Sequence, residues 1–159
     1  MIKLMRFIKL ILFIALCEGI GVLGSVFTIS QIPTWYITLN KPFFSPPNFV
    51  FGPVWTMLYA LMGIAVFLIY EAKIKKKEKS FLLKLFGLQL LLNFLWSFIF
   101  FGMHNPIIGF VEIILLWISI LILIIKFYKY SKLASVLLIP YLFWVSFATL
   151  LNLFIAILN

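Results

Sequence analysis

Three polar side chains recur every four residues within a long apolar run: Gln89, Asn93 and Ser97. That spacing puts them on one face of an α-helix. Amides and a hydroxyl there can hydrogen-bond to neighbouring helices, or they can serve as polar anchors in a ligand cavity. Two other apolar runs carry aromatic residues with polar tips. Trp55, Tyr59 and Met62 share one helical face, and Tyr141, Trp144, Ala148 and Asn152 share another. Two indoles and two phenols so placed suit the wall of a pocket for a flat aromatic ligand. They also suit aromatic core packing, the commoner arrangement, and spacing leaves both readings open.

The chemistry offered is recognition rather than catalysis. No nucleophile stands beside a base, and there is no phosphate-binding loop. Cys17 is the only cysteine and His104 the only histidine, so an internal disulfide and a clustered Cys/His metal site are both excluded. No catalytic residue, metal or required cofactor is expected. Cys17 lies in an apolar run and reads as a packing residue. Glu18 and Glu112 are the two acids inside apolar runs, at different depths, so a direct pair is not expected. Without a string of acids and histidines to form a proton relay, each reads as a protonated or hydrogen-bonded acid facing the bundle. Any reaction would have to draw its reactivity from a bound pigment or oxygen.

The elements that must position these residues follow from composition. The chain has 159 residues, 65% of them hydrophobic and 11% charged, against about 25% charged in soluble domains. Its mean hydropathy is +1.23. Such a chain cannot dress a water-facing surface, and it reads as an all-α integral membrane protein. Apolar runs long enough to cross about 30 Å of hydrocarbon place helices near 7–29, 49–70, 82–101, 107–125 and 133–158, forming one five-helix domain over 1–159. Lys3, Arg6 and Lys9 precede the first run as they would in a signal peptide. That run is too long, and no convincing cleavage site follows, so it reads as a mature helix.

The net charge of +9 would raise nucleic acid as a partner in a soluble protein. Here the basic residues cluster at span ends, where they contact lipid headgroups, and nucleic acid is not expected. Five spans put twelve of the thirteen Lys and Arg on one side and leave only Lys41 on the other. The positive-inside rule then places the N-terminus inside and the C-terminus outside. The loop at 30–48 lies on the side poor in charge. It interleaves Pro33, Pro42, Pro46 and Pro47 with Trp35, Tyr36, Phe43 and Phe44. It reads either as an ordered lid over the bundle or as an interfacial loop with its aromatics among headgroups. Stripes of small residues, Gly52 with Thr56 and Ala60, Ala15 with Gly19, and Gly21 with Ser25, allow close approach of helices. Pro140 removes one backbone bond from the fifth helix.

The run Trp35-Tyr36-Ile37-Thr38-Leu39-Asn40-Lys41-Pro42-Phe43-Phe44-Ser45-Pro46-Pro47, followed by Phe51-Gly52-Pro53-Val54-Trp55-Thr56-Met57-Leu58-Tyr59, resembles the signature of the translocator protein family (TspO/MBR, tryptophan-rich sensory proteins) in its prokaryotic form. Asn93-Phe94-Leu95-Trp96-Ser97, Phe100-Phe101-Gly102, Pro140-Tyr141-Leu142-Phe143-Trp144 and Phe147-Ala148-Thr149-Leu150-Leu151-Asn152 extend the likeness over nearly the whole chain. The resemblance implies a five-helix bundle, often a homodimer, in a prokaryotic cell membrane. It further implies binding of porphyrins such as protoporphyrin IX and of hydrophobic drug-like molecules in a cavity beneath the first loop.

The resemblance carries the ligand role to Tyr36, Pro42, Trp55, Asn93, Trp144 and Ala148, with Gly24 and Ser25 in the same pattern. Phe44, Tyr59, Gln89 and Tyr141 join them from the residue reading. It also leaves open a light- and oxygen-dependent porphyrin breakdown resting on Trp55 and Trp144, and transport of small amphipathic metabolites. Two departures stand out. Phe44 replaces the tryptophan usual in the lid motif, which keeps the stacking and loses the indole donor. Residues 153–159 supply neither the tyrosine nor the basic residue of the cholesterol-recognition segment, so cholesterol is not an expected ligand.

Overall fold

The computed structural model describes residues 2–159. All five expected spans form. The first is α1 (Ile2–Gln31), the second α2 (Phe51–Glu71), and the third α3 (Lys76–Ser97), prolonged by a π-helical turn at Phe98–Gly102. The fourth is α4 (Pro106–Tyr128), and the fifth consists of α5 (Lys132–Leu137) and α6 (Ile139–Leu158). No strand occurs among the described residues. The helices outrun the apolar stretches because backbone bonding continues into the interface, where Lys and Arg side chains reach the headgroups. The fifth span divides at Leu138, where φ is −88° and ψ is −10°. Pro140 has no N–H for the carbonyl one turn back, so the ladder lapses there and resumes with Leu142 N–H donating to Leu138 O at 3.1 Å.

Helix contacts set the order around the bundle. α1 packs on α2 and α3, α3 on α4, α4 on α5 and α6, and α5 on α2. The spans therefore run first, second, fifth, fourth, third around the ring. α1 is the outlier: only 11% of its apolar stretch is buried, against 33–44% in the other four. It borders the bundle and shows most of its surface to lipid. At the basic end it is tied to α2 by Arg6 and Lys9, whose side-chain nitrogens lie 3.5 and 3.7 Å from the Glu71 carboxylate.

The loop before α2 is an ordered lid. A 3-10 turn at Tyr36–Thr38 buries Tyr36. Phe44 packs edge-on against Phe147 and Phe154 of α6, with ring centroids 6.2 and 5.3 Å away. Trp35 stacks on His104 at 4.5 Å, and His104 Nε2 lies 2.8 Å from Gln31 Oε1. His104 holds φ at 53°, in the left-handed region that non-glycine residues seldom adopt. The turn between the third and fourth spans is thus bent so as to present an aromatic face to the lid. Lys41 Nζ donates to Tyr36 O at 2.7 Å and sits over the Tyr36 ring. Phe43, fully exposed, is the one lid aromatic left facing outward.

A two-way latch closes the lid. Asn40 N–H donates to Asn159 Oδ1 at 2.9 Å, and Asn159 Nδ2 donates to Asn40 O at 3.0 Å. Each bond is worth about 1 kcal/mol at most at this exposed site. Asn159→Ala is therefore expected to raise hydrogen exchange of the lid amides roughly fivefold while leaving the helices protected. Unchanged exchange would show that the aromatic contacts alone hold the lid.

Candidate functional site

The polar stripe of α3 is divided between two jobs. Asn93 is buried at the centre of a directional hydrogen-bond chain. Tyr59 OH on α2 donates to Asn93 Oδ1, Asn93 Nδ2 donates to Tyr141 OH at 2.7 Å, and Tyr141 OH donates to Gln89 Oε1 at 2.9 Å. Gln89 Nε2 ends the chain 3.8 Å from Met62 Sδ. These side chains join the second, third and fifth spans where no water can satisfy them. A second clamp lies nearer the lid, where Trp96 Nε1 donates to Asn152 Oδ1 at 3.0 Å and Asn152 Nδ2 donates to Pro106 O at 2.7 Å. Ser97, by contrast, lines a cavity.

That cavity is a groove of about 460 Å³ between α1 and α2, backed by α3. Its size falls in the range of small-molecule sites. Trp55, Tyr59, Trp96, Phe49 and Phe101 supply aromatic wall, and Asn93 reaches its floor. Glycine makes room for it, since a Cβ on Gly21 would collide with the Tyr59 ring. The α1 wall is Glu18, Gly21, Ser25, Thr28 and Ile32. Their spacing of three and four residues draws one helical face that sequence reading left unassembled.

A smaller pocket of about 20 Å³ adjoins the groove under the lid. Tyr36, Trp144, Ala148 and Asn152 line it, and Phe51, Trp55, Trp96 and Phe101 border both cavities. Phe51 and Trp55 meet Trp144 at 6.1 and 6.5 Å between ring centroids, the indole pair at 90°. No slot for a flat molecule opens between the two tryptophans in this state. Trp144 Nε1 and Tyr36 OH are buried without a hydrogen-bond partner among the described residues. Burial raises the Tyr36 phenol above its ordinary pKa.

The expected site residues therefore fall into layers. Trp55, Tyr59 and Asn93 meet at the groove, while Tyr36, Trp144 and Ala148 surround the small pocket. Gln89 and Tyr141 are sealed behind, in the hydrogen-bond chain. Phe44 packs on α6, and Pro42 sits in the lid beside it, lining neither cavity. Glu112 is buried as expected, yet both its oxygens lack a hydrogen-bond partner among the described residues.

The profile of the TspO/MBR family matches residues 13–158. The chain is 45% identical to the tryptophan-rich protein TspO of Archaeoglobus fulgidus, over 98% of this chain and 99% of that one. It is 46% identical to the protein of the same name from Chlorobaculum tepidum, over 97% and 98%. The human translocator protein is 38% identical over 81% of this chain and 77% of its own.

Proposed function

The chain belongs to the TspO/MBR family of integral membrane proteins, and from that premise we propose that it is a receptor for porphyrins and for hydrophobic drug-sized molecules, bound in the groove between α1 and α2. One observation carries this reading: a 460 Å³ groove walled by Trp55 and Tyr59, with the Asn93 amide at its floor. A flat apolar ring system covers the indole face and displaces lipid, and the amide fixes its depth. The groove is bordered by α1, which shows most of its surface to lipid, the phase from which an apolar ligand would arrive. By the twelve-to-one distribution of basic residues, the lid lies outside and the N-terminus inside the cell membrane.

Titration with protoporphyrin IX should quench tryptophan fluorescence to a plateau. Trp55→Ala is expected to weaken the Kd about tenfold, the equivalent of roughly 1.4 kcal/mol of lost aromatic contact. Trp144→Ala should change it less, because Trp144 does not line the groove. Quenching that never saturates, or that ignores Trp55→Ala, rules out this site. The edge-to-face contact of Trp55 with Trp144 also favours testing the photo-oxidative reading. Under light and air, loss of the porphyrin band only when both indoles are present would establish it.

A further inference from the structure

We infer that the groove between α1 and α2 accepts a protonated amine, with Glu18 as its counter-ion; the inference rests on that groove being the ligand site. Glu18 is the only formally charged residue lining the groove. It lies inside a span, half-buried, and no hydrogen bond or ion pair joins it to another described residue. Two basic residues of α1, Arg6 and Lys9, are turned to Glu71 at the helix end, about two and a half turns or more from Glu18. A carboxylate at membrane depth with no partner in its own chain is costly unless something brings the partner to it.

The rest of the lining points the same way. Ser25 Oγ donates to Val22 O at 2.7 Å, Thr56 Oγ1 to Gly52 O at 3.1 Å, and Thr28 Oγ1 to Gly24 O at 3.4 Å. Tyr59 OH donates to Asn93 Oδ1. Four hydroxyl protons are thus committed within the protein, and what these groups still offer a ligand is lone pairs. Ser97 Oγ, Trp55 Nε1 and the Asn48 amide at the groove's edge are the side-chain donors left free beside them among the described residues. A lining rich in acceptors, with one carboxylate and the ring faces of Trp55 and Tyr59 close by, is complementary to an N–H-bearing cation on an apolar body. A ligand carboxylate would meet Glu18 with repulsion. The acidic side chains of a tetrapyrrole would accordingly stay at the mouth, with only its ring system entering.

The test uses a matched pair of probes on the full chain in lipid nanodiscs: a naphthylalkyl ammonium and the uncharged alcohol of the same length. The ammonium should bind at least about tenfold more tightly to the unaltered protein, as expected for a desolvated ion pair. In Glu18→Gln the preference should fall to within about twofold, while Glu18→Asp retains most of it. Equal binding of the two probes by the unaltered protein overturns the inference, and so does a preference that survives in Glu18→Gln. Protoporphyrin quenching, run in parallel, separates the two readings. If it saturates normally while the probes are not discriminated, only the counter-ion role of Glu18 fails. If it fails as well, the groove itself is not the site.

Discussion

Gly63→Ala should lower the melting temperature of the protein in detergent by several degrees, and Gly63→Leu should prevent assembly. A Cβ built on Gly63 would lie 2.5 Å from the Ile14 Cα and 2.9 Å from the Ile14 nitrogen. Those are backbone atoms of α1, which cannot turn aside as a side chain can. The methyl group must push the first helix off the second. Overpacking of this kind costs about 1–3 kcal/mol. α1 has little buried surface elsewhere to resist the displacement, so the groove it walls should change shape too. Gly19→Ala and Gly87→Ala are the controls, since nothing lies within 4 Å of a Cβ at either. Both should be neutral or slightly stabilising, as alanine favours helix over glycine. If all three variants melt together, close approach of α1 to α2 is not what the small residue secures.

Asn93→Ala should be the most damaging single truncation in the polar interior. It removes the acceptor of Tyr59 OH and the donor to Tyr141 OH together. Interhelical bonds in membranes average only about 0.6 kcal/mol, but orphaning the buried Tyr59 hydroxyl carries its own penalty of about 1–3 kcal/mol, while Tyr141 OH keeps its bond to Gln89. The penalty outweighs the bond average because the Tyr59 hydroxyl is left without an acceptor side chain, and a loss of about 2–3 kcal/mol follows. A double-mutant cycle with Tyr59→Phe isolates the first bond. Tyr59→Phe should cost little once Asn93 is gone, and full additivity would show that the chain of bonds does not act as a unit.

Hydropathy and charge placement were enough to read five spans, because crossing a bilayer demands a run of fixed length. The four-residue stripe on α3 was legible as a face for a similar reason. What the stripe touches was not legible. Gln89 and Tyr141 are locked against each other while Ser97 opens on a cavity. That difference depends on how far each helix is rotated toward its neighbours, which periodicity does not encode. Trp55 and Trp144 look alike in sequence and lie in contact, yet only Trp55 borders the groove, because Phe51 packs against Trp144 and closes the space beside it. The Glu18, Gly21, Ser25, Thr28 face was readable as a pattern. Its meaning came only from Gly63, whose bare backbone seats α1 against α2 and leaves the groove beyond.

The docking of the lid on the fifth span has a consequence in time. A ribosome delivers the lid sequence early, between the first and second helices, but its seats, Phe147 and Phe154, come after four helices are already in place. Until then Phe44 has nothing to rest on, although Trp35 and Tyr36 find Phe100, Phe101 and His104 once the third span and the turn after it are made. A nascent chain arrested before α6 would carry Phe44 uncovered beside the already exposed Phe43, the kind of exposed apolar patch that membrane quality control recognises. Docking of Phe44 thus waits for the fifth helix.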